Sequence, residues 1–405
     1  MQRRRGGPEA TLIESQSQIS QFCQRCGDEG RFAFDTEFVM EDRYESEVCL
    51  LQAAVADSVV IIDPFSKLDL SPLWGLVAND AIETVVHAGQ EDLAIAVQYT
   101  EVAPRRVFDV QIAAGLVGFD YPISLQRLIQ SMLHIRLHKA KTLTDWRKRP
   151  LTQAQIRYAA EDVAYLLTIR EDLNKKLESL GRLDWAREEF RCLEELTRYR
   201  RAEEDRLLRI KGMGNLKSEK LAVAREIMHW RETLAKRLNR PARVVLKDHL
   251  LVEIAKHGLA EVSDIRDLRG MNLNQRNIHS LVEVIRNARK IPSSEWPEQK
   301  PRSVDAPRDA ALLALVTAVA RSYCLEHKLA YGLVATQKSI RELIRHSAFG
   351  RPSDGTGVEL LAGWRGETVG AMLADVLAGK RTVRVEELDG ERTVRVTRRR
   401  DKKRT

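Results

Sequence analysis

The stretch Phe34-Asp35-Thr36-Glu37-Phe38 constrains this chain more than any other. It reads as a buried strand, yet it carries two carboxylates two residues apart. Side chains alternate along a strand with period two, so Ala33, Asp35 and Glu37 share one face and Phe34, Thr36 and Phe38 share the other. Two neighbouring acids on a sheet repel each other and lose hydration. A fold tolerates that pair when a cation sits between them, and the rest of the chain must then supply more oxygen ligands.

Further acids stand where cleft-facing positions are expected. Asp92 falls in the first turn of a helix that follows an expected strand over 83–87 and the turn Ala88-Gly89. Asp162 falls on a long helix expected over about 152–180, opened by a capping box of Thr152 and Gln155. Tyr158 lies four residues before Asp162, which puts phenol and carboxylate on one face, one turn apart. Ile156, Ala160, Val163 and Leu167 form the helix's apolar face. No Cys/His cluster accompanies these acids, so a bound ion would be a hard, oxygen-preferring one, Mg²⁺ or Mn²⁺. Four carboxylates suit two such ions about 4 Å apart, the arrangement that clamps the attacking and leaving oxygens of a phosphodiester. Each signal is weak alone: D-x-E occurs by chance in many strands, and Asp92 is also a favourable acid at a helix N-terminus. Order, spacing and local structure together make the set specific.

Three other side chains bear on a substrate. His87 closes the strand beside the acids and is in reach of a substrate phosphate, although a buried structural donor is the simpler reading. Lys139 and Lys141 sit in the polar, basic loop 134–150 before the Asp162 helix and are better candidates for substrate contact, with plain solvation as the alternative.

A chain of 405 residues has room for two or three domains. The first part reads as a helix over 13–26, strands over 32–38, 48–55 and 59–62 with short, antiparallel connections, a helix over 73–78, and then alternating strand and helix. A helix starting at Asp109 is capped by that carboxylate, and another runs over 124–133. The pattern predicts a mixed sheet with helices packed on it. A highly charged connector over about 187–209 leads to an all-helical stretch over 211–290. The proline-rich stretch 291–307 is a linker. A third helical region runs over 309–378. Thr382–Val385 and Thr393–Val396 repeat each other around Asp389-Gly390, which reads as a small hairpin, or else as a disordered basic tail. The expected division is 1–200, 205–291, linker 292–307, 308–380 and tail 381–405.

The net charge is +8 and the isoelectric point about 9.2, which fits a polyanionic partner. Much of the excess is local, since residues 380–405 hold eleven Lys/Arg against five Asp/Glu, a net +6. The five cysteines include one isolated C-x-x-C, Cys23 and Cys26, with no second pair to complete a zinc site. They read as helix-packing thiols of a reducing, cytoplasmic compartment. No apolar run approaches the roughly 20 residues of a membrane span, and no apolar segment follows the basic N-terminus as in a secretory signal.

With those residues in hand, the chain resembles the ribonuclease D family, within the DEDD superfamily of 3′→5′ exonucleases. The matching motifs are Phe34-Asp35-Thr36-Glu37-Phe38-Val39, His87-Ala88-Gly89-Gln90-Glu91-Asp92-Leu93 and Tyr158-Ala159-Ala160-Glu161-Asp162-Val163, the last of the tyrosine-bearing subclass. Thr144-Asp145-Trp146 with Arg149-Pro150-Leu151 is similar to that family's approach to its third motif. The resemblance implies a ribonuclease H-like α/β exonuclease domain. By residue it implies Asp35, Glu37, Asp92 and Asp162 as ligands of two divalent cations, with Tyr158 positioning or activating the attacking water. Residues 211–290, with 235–245 and Leu268-Arg269-Gly270, resemble an HRDC domain, and Leu360-Leu361-Ala362-Gly363-Trp364-Arg365 resembles a second HRDC-like domain. The glycines of Ile210-Lys211-Gly212-Met213-Gly214 are also similar to a phosphate-contacting helix-hairpin-helix loop, though a simple turn into the first HRDC helix is the preferred reading.

These likenesses imply a monomeric, metal-dependent 3′→5′ exoribonuclease that releases 5′-mononucleotides from tRNA precursors or other small structured RNAs. A DNA exonuclease of the same superfamily is the alternative, since the 2′-OH contact that separates the two substrates is not readable here. The absence of any G-x-x-x-x-G-K-[ST] motif argues against a helicase-associated form. A non-catalytic RNA-binding scaffold is the third reading, and the intact five-residue set counts against it.

Overall fold

The computed structural model describes residues 8–39, 43–137, 145–199, 207, 210–297, 307–349, 357–388 and 391–398. The chain forms two compact units, one of residues 1–36, 50–195 and 304–405, the other of residues 37–49 and 196–303. The boundary falls within one strand, after Thr36.

The main sheet has six strands in the order β1-β4-β3-β2-β5-β6. They are β1 (Ala10–Ile13), β2 (Arg31–Val39), β3 (Glu47–Val55), β4 (Ser58–Ile62), β5 (Glu83–Val86) and β6 (Val107–Asp109). Strand β4 runs antiparallel to β3 and parallel to β1, whereas β2, β5 and β6 run parallel. The sheet is therefore mixed, as predicted. Strand β1 is an addition to the predicted set. The expected helix over 13–26 starts later, as α1 (Gln16–Glu29), because Ile13 pairs with Ile62 and Ser15 forms a capping box with Gln18. Four residues of strand lack the length to show a period of two, so β1 left no pattern to read.

The helices that position the site are α2 (Ser71–Val77), α3 (Gln90–Thr100), α4 (Val110–Leu116), α5 (Leu125–Leu133), α6 (Gln153–Ala164), α7 (Leu166–Ser179) and α8 (Leu183–Arg191). The single helix expected over 152–180 is two, broken at Tyr165, where φ is −108° and ψ −6°. No proline or glycine marks the break. The buried stripe Ala159, Ala160, Val163, Leu166, Ile169, Leu173 and Leu177 runs on through it, so the apolar periodicity gives no warning.

In the same unit, the C-terminal region supplies helices Pro307–Glu326, Tyr331–Val334, Gln337–Phe349 and Ala371–Leu377. Two buried guanidiniums tie it to the sheet-bearing core. Arg182 donates to the Leu116 carbonyl at 2.6 Å, to the Lys328 carbonyl at 3.0 Å and to the His327 carbonyl, so it satisfies acceptors just past the end of a helix. Arg365 pairs with Glu189 and donates to the carbonyls of Leu333 (2.7 Å) and Val334 (3.2 Å). Strands β7 (Arg381–Leu388) and β8 (Glu391–Arg398) pair antiparallel as the anticipated hairpin, and Ser322 Oγ donates to the Val394 carbonyl at 2.6 Å. The expected turn residues Asp389 and Gly390, and residues 399–405, lie outside the described residues.

The second unit is helical apart from its β-strand segments, with helices Ser218–Leu238, Asp248–His257 and Gln275–Ala288 closing on a core that includes Ile227, Leu250, Leu251, Ile254, Leu281 and Ile285. Buried Arg231 pairs with Asp248 at 2.6 Å and donates to the Leu246 carbonyl. Gly212 takes a left-handed φ of 103° and Met213 is fully buried, so this glycine turns the chain into the helical core. Tyr44 belongs to this unit and donates its hydroxyl to Glu232 at 3.0 Å.

Candidate active site

Strand β2 builds the site's floor. Phe32, Ala33 and Phe34 are buried and anchor it in the sheet, while Asp35 and Glu37 are only half-buried. Asp162 joins them from α6, whose first turn is fixed by the predicted capping box of Thr152 and Gln155. One carboxylate oxygen from each of Asp35, Glu37 and Asp162 lies within 4.8 Å of the others, and this is the one such metal-capable group among the described residues. Three carboxylates so close repel one another, and a cation between them would relieve that repulsion. Their all-oxygen donor set fits a hard divalent cation.

Asp92 takes a different place. It is buried in the first turn of α3, and its Oδ1 accepts from the Thr36 backbone N–H at 2.9 Å and from the Thr36 hydroxyl at 2.5 Å. It is thus bonded to the residue between Asp35 and Glu37, but stands outside the three-carboxylate group. Burial lifts its carboxyl to about 6, against the two hydrogen bonds from Thr36 that favour the ionised form.

The turn that delivers Asp92 is held by Asp109. This fully buried side chain caps α4, as predicted, through the N–H groups of Gln111 and Ile112. It also accepts from the N–H groups of Ala88 (3.2 Å) and Gly89 (3.1 Å), across 21 and 20 residues. That second role is not visible in the sequence, where Asp109 reads only as a local cap. Gly89 is required by close approach, since a Cβ there would lie 2.5 Å from the Val86 side chain.

His87 directs Nε2 at the Ile123 carbonyl, 2.9 Å away, which also receives the Gln111 side-chain amide. Burial pushes its imidazole below the usual range, against attraction to Asp109. That contact engages one ring nitrogen with a backbone carbonyl. Lys139 and Lys141 lie outside the described residues.

Tyr158 stands one turn before Asp162 on α6, and its ring is tilted against buried Trp146, with centroids 6.0 Å apart. The approach to α6 is pinned by Arg149. Its guanidinium takes Asp63 at 2.5 and 2.7 Å, donates to the Trp146 and Lys148 carbonyls, and lies 4.8 Å over the Phe65 ring. Burial alone would raise the Asp63 carboxyl, but the bonds from Arg149 outweigh it and hold the group below the ordinary carboxylate range. The folded value lies below the unfolded one. The pair's stabilisation is therefore complete above about pH 4 and is lost as pH falls through the lower, folded value. Asp63→Asn should cost about 1.5–3 kcal/mol at pH 7. The gap to wild type should narrow progressively below about pH 4. Unfolding midpoints of both proteins between pH 7 and pH 3 check this, and a gap that does not vary with pH would contradict it.

Comparison with known proteins bears on this arrangement. Residues 10–178 match a family described as 3′-5′ exonuclease, and residues 220–285 match the HRDC domain. A ribonuclease D of Acidiphilium cryptum is 34% identical over 368 residues, 90% of this chain and 92% of its own. A ribonuclease D of Gluconacetobacter diazotrophicus is 32% identical over 396 residues, 96% of this chain and 98% of its own. Among solved structures, Escherichia coli RNase D, described as an exoribonuclease involved in structured RNA processing, is similar with a TM-score of 0.78 at 25% identity, over 92% of this chain and 99% of its own. The catalytic core of RRP6 from Trypanosoma brucei shares the fold at a TM-score of 0.52 and 20% identity, over 69% of this chain and 79% of its own.

Proposed function

This chain belongs to the ribonuclease D family, a family of 3′→5′ exoribonucleases, and on that premise we propose that Asp35, Glu37, Asp92 and Asp162 hold two divalent cations, Mg²⁺ or Mn²⁺, for hydrolysis at RNA 3′ ends. The observation that carries this reading is the convergence of Asp35, Glu37 and Asp162 within 4.8 Å. Bound there, such ions supply Lewis acidity and neutralise charge on the phosphodiester.

The remaining work falls to the chain. The half-buried acids of β2 and α6 offer oxygens on one wall, and Thr36 holds Asp92 through Oδ1. The Tyr158 hydroxyl orients the attacking water by hydrogen bonding, and Trp146 packed on its ring limits how far it can swing. The leaving group is the 3′ oxygen of the shortened RNA, and the product is a 5′-mononucleotide. Tyr158→Phe should slow turnover by about 10²-fold. The Mn²⁺ concentration for half-maximal rate should stay within about twofold of wild type, because the phenol is not a ligand and the ring packing is kept. A titration of rate against Mn²⁺ separates the two quantities, and a shifted midpoint with unchanged saturated rate would reject this role for Tyr158.

The HRDC domain over 220–285 and the basic stretch over 380–405 hold the body of the RNA, which makes affinity salt-dependent. The helices over 308–380 act as a second HRDC-like element. The physiological substrates on this reading are tRNA precursors and other small structured RNAs, handled by a cytoplasmic monomer. Support comes from the description of the E. coli relative as a processor of structured RNA. Among the described residues no helix is long and apolar enough to cross a membrane.

The test is digestion of 3′-labelled and 5′-labelled RNA and DNA with Mg²⁺, Mn²⁺ or EDTA. Loss of the 3′ label first, on RNA, with metal only, is the expected result. Preference for DNA would favour the superfamily's DNA exonucleases, and no digestion in any arm would leave a binding scaffold.

A further inference from the structure

We propose that Gln52 is a positioning residue for Asp35, an inference that rests on the metal-site reading above. Gln52 lies in the middle of β3, where Val48, Leu50, Leu51, Ala53 and Val55 are all buried, and its own side chain is 0% exposed. Its Nε2 donates to Asp35 Oδ2 at 2.6 Å, from the strand adjacent to β2. Its Oε1 has no hydrogen-bond partner among the described residues.

An amide here is costly for the fold, since a strand this apolar would bury leucine or methionine at that point with no orphaned carbonyl. The amide has one chemically acceptable orientation. Exchanging its nitrogen and oxygen would bring a carbonyl oxygen to 2.6 Å from a carboxylate oxygen. The bond is charge-assisted and short, so it fixes the Asp35 rotamer through Oδ2 and leaves Oδ1 unengaged by the amide. Hydrogen bonds behind a ligating carboxylate set its orientation, and their loss typically weakens metal binding by about 10- to 100-fold. Gln52 thereby holds Asp35 toward Glu37 and Asp162 without touching substrate.

The experiment measures Mn²⁺ binding to the full chain by calorimetric titration without RNA, beside the thermal unfolding midpoint. The variants are Gln52→Met, which keeps length and removes the donor, and Gln52→Glu, which keeps shape and sets a second carboxylate against Asp35. Gln52→Met should weaken Mn²⁺ binding about tenfold with an unfolding midpoint no lower than wild type. Gln52→Glu should weaken binding further at neutral pH. Wild-type Mn²⁺ affinity in either variant would overturn the inference and make Gln52 a packing residue. A wild-type protein that takes up no Mn²⁺ would instead overturn the metal reading itself, and the inference with it. Should Gln52→Met lower the unfolding midpoint, Gln52→Glu decides the outcome by the same affinity criterion.

Discussion

Asp35→Asn should reduce RNA hydrolysis by about 10³-fold or more, because a metal-held phosphoryl transition state draws several kcal/mol from its ligand set and each 1.36 kcal/mol is tenfold in rate. Asn is isosteric with Asp, so the strand, flanked by buried Phe34 and Thr36, keeps its place. The Asn carbonyl can still accept from Gln52 Nε2, so the packing between β2 and β3 survives as well. What is lost is one of three negative charges within 4.8 Å, and with it the attraction for a divalent ion. RNA affinity measured in Ca²⁺ should stay within a few-fold of wild type, since that binding is assigned mainly to the HRDC domain and the basic C-terminal stretch. An Asn variant with full activity would mean that the three-carboxylate group is not the catalytic site.

The largest effect on stability should come from Glu189→Ala. Glu189 Oε1 accepts from the Trp364 indole at 2.7 Å and pairs with Arg365, whose side chain is 8% exposed. Removing the acid leaves the guanidinium buried with the carbonyls of Leu333 and Val334 and the face of the Trp364 ring, and with no counter-charge from Glu189. Breaking one side of a buried pair in this way costs about 3–5 kcal/mol. The Trp185–Trp364 stack, with centroids 4.8 Å apart, lies beside this pair and supplies a fluorescence signal for its loss. Denaturant titration read through that signal should show the drop. Adding Arg365→Met should give a double variant whose cost is well below the sum of the two single changes, because no lone charge is then buried. Additive costs would show that Glu189 and Arg365 are not coupled.

The local chemistry of the site could be read from the sequence, and its long-range supports could not. Asp35 and Glu37 declared themselves because a period of two makes two acids on one strand face conspicuous. Thr152, Gln155 and Asp109 did so because caps obey spacings of two and three residues. The bond from Asp109 to Ala88 and Gly89, the clamp of Arg149 on Asp63, and the amide of Gln52 behind Asp35 join residues 17 to 86 positions apart. No periodicity records such contacts. The same holds for Arg182 and Arg365, buried ties to the C-terminal region whose carbonyl partners lie 31 to 146 positions away. Asp92 was rightly expected at the first turn of α3, but its anchoring on Thr36, apart from the other three carboxylates, depends on how that turn meets the sheet.

A divalent cation among Asp35, Glu37 and Asp162 is the central element of the proposed site. Anomalous X-ray scattering from crystals soaked in Mn²⁺ tests it directly. The expected result is a manganese peak bounded by carboxylate oxygens of all three residues. Manganese bound elsewhere with none among these three, at a concentration that supports hydrolysis, would contradict it.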